Sequence, residues 1–515
     1  MAEPRETLTW RKVLDAADLA EGRVTTVTCG RRTLCLTHHA GSFGALDNRC
    51  PHQGGPLGEG SIENGLLRCP WHGWDYDPLT GKAPGFEDGV RTFPVEIRDG
   101  AVWVGLPPEP GHGRTVSDLM AETLTAWGIR QVFGMVGHSN LGLADALRRQ
   151  VDAGALAYYG IRHEGAASFA ASAYGKLTGR PAACLAIAGP GATNLLTGLW
   201  DAHVDRAPVL ALTGQVDTQV LGPGAFQEVD LAAAYGGVAQ WTQTVLPGSR
   251  HAELVNLAAK SAILNRGVSH LIVPDEVQNL PAPDARAGGP GGRLPRREIA
   301  PPEAALDAAE ALVRRSRRPV VVVGHGARFH MEAVTALAEA LGAPVLTTFK
   351  GKGLLPDDHP LAGGVLGRSG TPIASWLMNE SDALVVFGAS FSNHTGITPK
   401  RPIVQVDWDP MTLAKFHAVE VPVWGEIGVT AKALLERLRD YDGADDQRPD
   451  VAARWELWRR EKRRREGEEH GTGLGAASIF AALSRRVPED AILCVDVGNN
   501  TYSFGRYFEV AVRPS

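Results

Sequence analysis

The chain has 515 residues, 44% hydrophobic and 21% charged, an ordinary globular composition that excludes a disordered, collagenous or coiled-coil protein and leaves room for about three or four domains. Its net charge of −6, from 52 basic and 58 acidic residues, gives no basic excess to hold a phosphate backbone, so nucleic acid is not an expected partner. Six cysteines are too few for a disulfide scaffold, no apolar run approaches the ~20 residues that span a bilayer, and the opening Met1-Ala-Glu-Pro-Arg-Glu has no signal pattern, so a cytoplasmic enzyme is expected.

Residues 1–107 alternate in short bursts, Thr25-Thr-Val-Thr, Thr33-Leu-Cys-Leu and Ala101-Val-Trp-Val, broken by Gly, Asp and Pro, which predicts a small antiparallel all-β domain. Within it, Cys50-Pro51-His52 and, sixteen residues on, Cys69-Pro70-Trp71-His72 place two thiolates and two imidazoles on two loops. Such a set suits tetrahedral zinc or a Rieske [2Fe-2S] centre, in which two His replace two Cys on one iron. One short hook of Cys-x-His and one of Cys-x-x-His favour the two-iron centre, each loop giving one ligand to each iron. Gly54, Gly55, Pro56 and Gly73 let backbone amides approach the sulfurs. With metal ligands Cys50, His52, Cys69 and His72, this segment resembles the Rieske ferredoxin family. The extra cysteine pair that links the cluster loops of respiratory-complex members is absent, so it is closer to the soluble oxygenase-ferredoxin type.

After the Pro/Gly connector Leu106–Gly113 the periodicity changes. Helix-length stretches at Val116–Trp127 and Leu141–Val151 alternate with buried runs at Ala182–Ala188 and Pro208–Thr213, which predicts parallel α/β units over residues 114–282. A solvated Pro/Gly/Arg linker runs from Pro281 to Pro302. A central α/β domain over 300–440 carries strand runs at Pro319, Pro344, Ala383 and Ile403, with a glycine-rich loop between strand and helix expected at Gly363–Thr371. A polar stretch, Tyr441–Asp450, precedes a charged and solvated helix face around Arg459–Glu469. A further α/β block, 473–515, has one strand run, Ala491-Ile-Leu-Cys-Val-Asp496.

Ile161-Arg-His-Glu164-Gly joins a short strand to an Ala-rich helix, where open α/β sheets place chemistry; alone, a carboxylate there is equally a partner for the helix dipole. Around it stand Val132-Phe-Gly134-Met-Val-Gly137, Gly189-Pro-Gly-Ala-Thr-Asn194, Leu212-Thr-Gly-Gln-Val216 and Phe226-Gln227-Glu-Val-Asp230. Farther on come Gly351-Lys-Gly-Leu-Leu-Pro356 and Val404-Gln-Val-Asp407-Trp-Asp-Pro410. In this order they resemble the thiamine-diphosphate enzymes of the acetolactate synthase and pyruvate oxidase group, over residues 115–515. The resemblance implies that Glu164 hydrogen-bonds the aminopyrimidine of thiamine diphosphate and favours the imino form that generates the ylid. It also places Phe226 and Gln227 beside the thiazolium and substrate and Asn194 near the pyrimidine, with Gly134 and Gly137 kept from the family's Gly-Ile-Pro-Gly turn. The active site it implies forms between subunits of a homodimer or tetramer.

Two features of the resemblance remain. The Gly-Asp-Gly…Asn motif that holds Mg2+ and the diphosphate is not found in these residues, so the chain is expected to be truncated in its diphosphate-binding domain and to bind the cofactor poorly. Relatives that bind FAD hold it on the central domain, which makes Gly324, Gly326, Gly367 and Asp407 candidate FAD contacts, against a domain that keeps the fold without the ligand. The leading expectation is oxidative decarboxylation of a pyruvate-like 2-oxo acid, with electrons passing to the Rieske cluster and on to an unidentified redox partner. The alternatives are a non-oxidative carboligase with a redox-sensing Rieske domain, and an electron-transfer module with an inactive thiamine region. Carboligation releases no electrons, so products separate the first two.

Overall fold

The computed structural model describes residues 8–30, 32–52, 54–85, 89–107, 113–468, 471, 473–488 and 490–510. Residues 108–112 of the connector and the last five residues of the 473–515 block lie outside the described residues. The chain falls into two compact units, Met1–Leu294 and Pro295–Ser515, so the unit boundary lies inside the Pro281–Pro302 linker, which forms neither helix nor strand.

The first unit begins with ten short strands: β1 (Thr9–Asp15), β2 (Arg23–Cys29), β3 (Arg32–His39), β4 (Ser42–Asp47), β5 (Ser61–Glu63), β6 (Leu66–Arg68), β7 (Asp75–Tyr76), β8 (Thr92–Phe93), β9 (Val95–Arg98) and β10 (Ala101–Leu106). They form antiparallel sheets in the orders β1-β10-β9, β2-β3-β4-β8 and β5-β6-β7. Alternating apolar residues fill one core around Leu34, Leu36 and Val102, and a second in which Cys50 and Cys69 lie among Leu46, Leu57, Leu67 and Tyr76. The two cluster thiols are thus seated in apolar surroundings while the loops around them reach the surface.

The same unit continues as a six-stranded parallel sheet, β11 (Gln131–Gly134), β12 (Ala157–Gly160), β13 (Ala182–Ala186), β14 (Val209–Gln215), β15 (Ala239–Thr244) and β16 (Val268–Pro274), in the order β12-β11-β13-β14-β16-β15. The central strands read as continuous apolar runs because helices cover both faces. The expected helices appear at Val116–Ala126, where Thr115 and Asp118 form a capping box, and at Leu141–Asp152.

The second unit holds another six-stranded parallel sheet, β17 (Pro319–Val323), β18 (Val345–Thr347), β19 (Ala362–Val365), β20 (Ala383–Phe387), β21 (Ile403–Asp407) and β22 (Val421–Trp424), in the order β19-β18-β17-β20-β21-β22. The strand direction of connection switches between β17 and β20, which places a crevice at their carboxyl ends. Three expectations need correcting here. Gly363 and Gly364 belong to β19 and not to a loop: a Cβ on Gly363 would meet Leu346 at 2.3 Å, so glycine lets β19 lie against β18. The helix Arg448–Glu466 begins inside the polar stretch, and its charged face is not wholly solvated, since Trp455, Trp458 and Lys462 are buried and Lys462 pairs with Glu509. Ala491–Asp496 is not a strand. No strand among the described residues lies beside it to take its hydrogen bonds, and Ile492 and Val497 stand 63% and 91% exposed. Among the described residues, no helix is long and apolar enough to cross a membrane.

Candidate functional site

The two cysteine loops share one backbone plan. Cys50 N–H donates to the Gly55 carbonyl at 2.9 Å and the Cys50 carbonyl accepts from Gly54 N–H at 2.8 Å; Cys69 N–H donates to the Trp74 carbonyl at 2.8 Å and its carbonyl accepts from Gly73 N–H at 3.1 Å. Gly54 and Gly73 both turn the chain with positive φ, 82° and 72°. The loops bring the His52 and His72 rings edge to face at 4.8 Å, with Trp74 stacked on His52. A Cβ on Gly55 would lie 2.7 Å from Cys69 Sγ, so only glycine permits one loop to close over the other's thiol.

Tyr76 was not singled out by the sequence, yet its hydroxyl lies 3.1 Å from Cys50 Sγ, where it can donate to a thiolate and tune a cluster. Arg68 makes a two-pronged pair with Asp75 at 2.9 and 2.8 Å, bracing the strands that flank the second loop. Among the described residues no three His, Cys, Asp or Glu side chains are placed to hold one metal ion.

On the parallel sheet of the same unit, Glu164 opens the helix Glu164–Thr178 and is 6% exposed. Its carboxylate does not cap that helix. The His163 ring does so, accepting from Gly165 N–H at 3.1 Å, which leaves Glu164 to accept from Asn194 Nδ2 at 3.0 Å. Asn194 ends the short helix Pro190–Asn194, whose Ala192 carbonyl is held by the Tyr235 hydroxyl at 2.6 Å.

Glycines carry this cluster onward. A Cβ on Gly191 would stand 3.1 Å from Glu164 Oε1, and one on Gly189 would stand 2.6 Å from the Gln227 carbonyl. Gln227 is held at φ 68°, and its Oε1 is buried without a hydrogen-bond partner among the described residues. Backbone strain and an orphaned buried polar atom thus fall together at one residue. The loop is fixed from beneath by Glu228, whose carboxylate accepts from the amides of Gly222, Gly224 and Ala225 at 2.7–3.0 Å. Those amides hold its carboxyl below the ordinary value. Phe226, next to Gln227, is 86% exposed.

Gly134 and Gly137 have a packing role: a Cβ on either would come within 2.7 Å of Leu185 or Ile187. The turn they bound is tied by Asn140, which accepts from Gly137 N–H at 2.9 Å and donates to the Met135 carbonyl at 3.0 Å.

The cysteine loop and the glutamine loop meet across a cavity of about 770 Å3. Arg49, Cys50 and His52 stand on one wall and His138, Val216 and Phe226 on the other. Neither Arg49 nor His138 was identified from the sequence. His138 directly follows the glycine turn and was there to be read, whereas Arg49 joins the site only because the two domains pack together.

The four central-domain candidates sit at the carboxyl edge of the second sheet, where the chain itself accounts for the glycines. Cβ atoms on Gly324 and Gly326 would collide with Gly388 at 2.3 and 2.8 Å, and one on Gly367 would meet the His394 carbonyl at 2.0 Å. Asp407 Oδ1 accepts from Asp409 N–H at 2.9 Å. Close packing against the chain itself accounts for these three glycines.

Residues 9–94 match the Rieske [2Fe-2S] domain, residues 114–234 the thiamine pyrophosphate enzyme N-terminal TPP binding domain, and residues 306–434 the thiamine pyrophosphate enzyme central domain. The chain is 31% identical over 391 residues to the acetolactate synthase isozyme 2 large subunit of Escherichia coli, a match covering 74% of this chain and 68% of that protein. It is 32% identical to acetolactate synthase of Arthrospira platensis, covering 63% of this chain and 58% of the relative. With chloroplastic acetolactate synthase 2 of Zea mays it shares 33% identity, covering 64% and 52%. The chain therefore spans little more than half the length of the last two. It belongs to the thiamine pyrophosphate enzyme family and carries a Rieske [2Fe-2S] domain before the family's N-terminal and central domains.

Proposed function

We propose that this protein oxidatively decarboxylates a 2-oxo acid of the pyruvate type and passes the electrons, one at a time, to its own Rieske centre. The observation that carries this reading is the shared cavity, in which the cluster-ligand loop Cys50–His52 faces Phe226, the neighbour of the strained Gln227. Thiamine diphosphate supplies the carbanion chemistry when bound, and a [2Fe-2S] cluster takes up single electrons. In balance, the 2-oxo acid anion and water yield the carboxylate shorter by one carbon, CO2, two protons and two electrons, the electrons leaving to a one-electron acceptor outside the chain.

In this reading Glu164 holds the pyrimidine end of the cofactor and Asn194 fixes the direction of its carboxylate. Gln227 turns its unpartnered amide oxygen toward the reacting end, and Phe226 keeps water from it. Cys50, His52, Cys69 and His72 hold the cluster. Magnesium enters with the diphosphate, and FAD is not required. The working form is a homodimer or tetramer in the cytoplasm.

The relatives' names favour a second reading, acetolactate-type carboligation with the Rieske domain as a sensor. Anaerobic addition of pyruvate to protein loaded with thiamine diphosphate and Mg2+ separates the two. A Rieske EPR signal raised by pyruvate without dithionite, together with acetate, is the expected result. A cluster that stays oxidised while pyruvate is converted to acetolactate overturns the oxidative reading.

A further inference from the structure

The cavity has two unlike walls. From the thiamine-binding side it receives Val216, Val220, Ala225 and Phe226 together with His138; from the β domain it receives Arg49 and Arg91 beside Asp47 and the Cys50–His52 loop. Both arginines are set in place by their own domain. Arg49 lies across the glycine of its loop, its Nε 3.3 Å from where a Cβ on Gly54 would stand, and Arg91 rests over the Phe93 ring at 5.4 Å. Neither guanidinium has a carboxylate within ion-pair distance among the described residues, whereas Arg68 and Arg98 of the same domain are paired.

The acidic groups nearby are accounted for. Asp47 accepts from the Arg49 backbone N–H at 3.1 Å, and Asp275, raised chiefly by burial, feels both His138 and Arg49. A cavity with two preset cations facing a largely apolar wall is complementary to a small anion that carries a hydrocarbon end.

We infer that the Rieske domain completes the substrate cavity of this enzyme, with Arg49 and Arg91 taking the carboxylate of the 2-oxo acid while Phe226 and its neighbours take the hydrocarbon end. The inference rests on the reading of the protein as a 2-oxo acid enzyme, and it holds whether or not the product is oxidised. It gives the added domain a role in choosing the substrate as well as in receiving electrons.

The test uses the full chain with its cluster intact and no thiamine diphosphate, so that nothing turns over. Pyruvate binding is measured by calorimetry and by the change it makes in the EPR spectrum of the dithionite-reduced cluster. Wild type binds and shifts the signal. R49Q and R91Q bind about tenfold or more weakly, the loss expected for one charge-assisted hydrogen bond, and R49K recovers part of the affinity. Neutral methyl pyruvate binds wild type and R49Q alike, and acetate binds more weakly than pyruvate if the site is built for the substrate.

Equal pyruvate affinity in wild type and the R49Q/R91Q double variant overturns the inference. So does a D275N variant that reproduces the loss seen in R49Q, because Arg49 would then serve only to anchor the two domains. The oxidative reading fails separately: a wild type that binds pyruvate through these arginines, yet never reduces its cluster after thiamine diphosphate is added, loses that reading and keeps this one.

Discussion

The carboxyl edges of the two six-stranded sheets present the same kind of surface, loops leaving parallel strands, and use their residues in opposite ways. At the first edge the polar groups are left available: Glu164 has one side-chain partner, Gln227 Oε1 has none, and Phe226 stands clear of the protein. At the second edge the loops close on each other, with Gly326 N–H donating to the Gly388 carbonyl at 3.0 Å across the switch point. A shared architecture thus does not imply a shared role. The two edges differ in how far their loops hold one another in place.

The largest effect that tests this contrast is at Glu164. E164Q is expected to lower pyruvate turnover by ~10²–10⁴-fold, the scale of a positioned proton-transfer group, with little change in unfolding midpoint. A variant that retains turnover would make the first edge no more of a site than the second. The converse holds at Gly324, where an added methyl group has no room. G324A is expected to cost about 1–3 kcal/mol in urea unfolding, while F226A on the exposed loop stays within roughly 0.5 kcal/mol. An undisturbed G324A protein would mean that the crevice is open enough for a ligand.

The contrast also extends to the response to acid. In the first sheet, burial of His270, bonded to Thr213 at 2.8 Å, pushes its imidazole down from 6.5 to about 3. Its neutral form is the folded form, so its contribution is fully present above pH 6.5 and is lost as the pH falls toward 3. In the second sheet, burial would raise the Glu426 carboxyl, but His330 at 2.9 Å and the amides of Val429 and Gly428 outweigh that and hold it down from 4.5 to about 2. Its contribution is present above pH 4.5 and is lost toward 2. Between pH 6.5 and 5 the first sheet should therefore weaken by up to ~1.4 kcal/mol per pH unit while the second holds. Hydrogen exchange of peptides from β14 and β16 against those from β20 and β21 measures this directly. Parallel loss in both sheets removes the distinction.

The parts of the molecule legible in the sequence are those whose logic is local. The two Cys/His hooks, Cys50 with His52 and Cys69 with His72, are read from spacing within two loops that the fold brings together, and the buried runs at Ala182 and Pro319 from uninterrupted apolar residues. The Ala491–Asp496 run shows the limit: its composition suits a strand, but pairing requires a neighbour that composition does not describe. The glycines at 324, 326 and 367 are ambiguous in the sequence, since a glycine that admits a phosphate and one that admits a carbonyl look alike in one dimension. Arg49, Arg91 and Phe226 lie far apart along the chain and meet only after two domains dock, so the shared cavity had no signature to read.

That cavity has a kinetic consequence. Its two walls belong to one polypeptide, so under the proposed oxidative reading the electron donor at one and the acceptor at the other encounter each other by tether and not by diffusion. Transfer between them is first order, and its rate per molecule should be the same in a dilute cell extract as in a concentrated preparation.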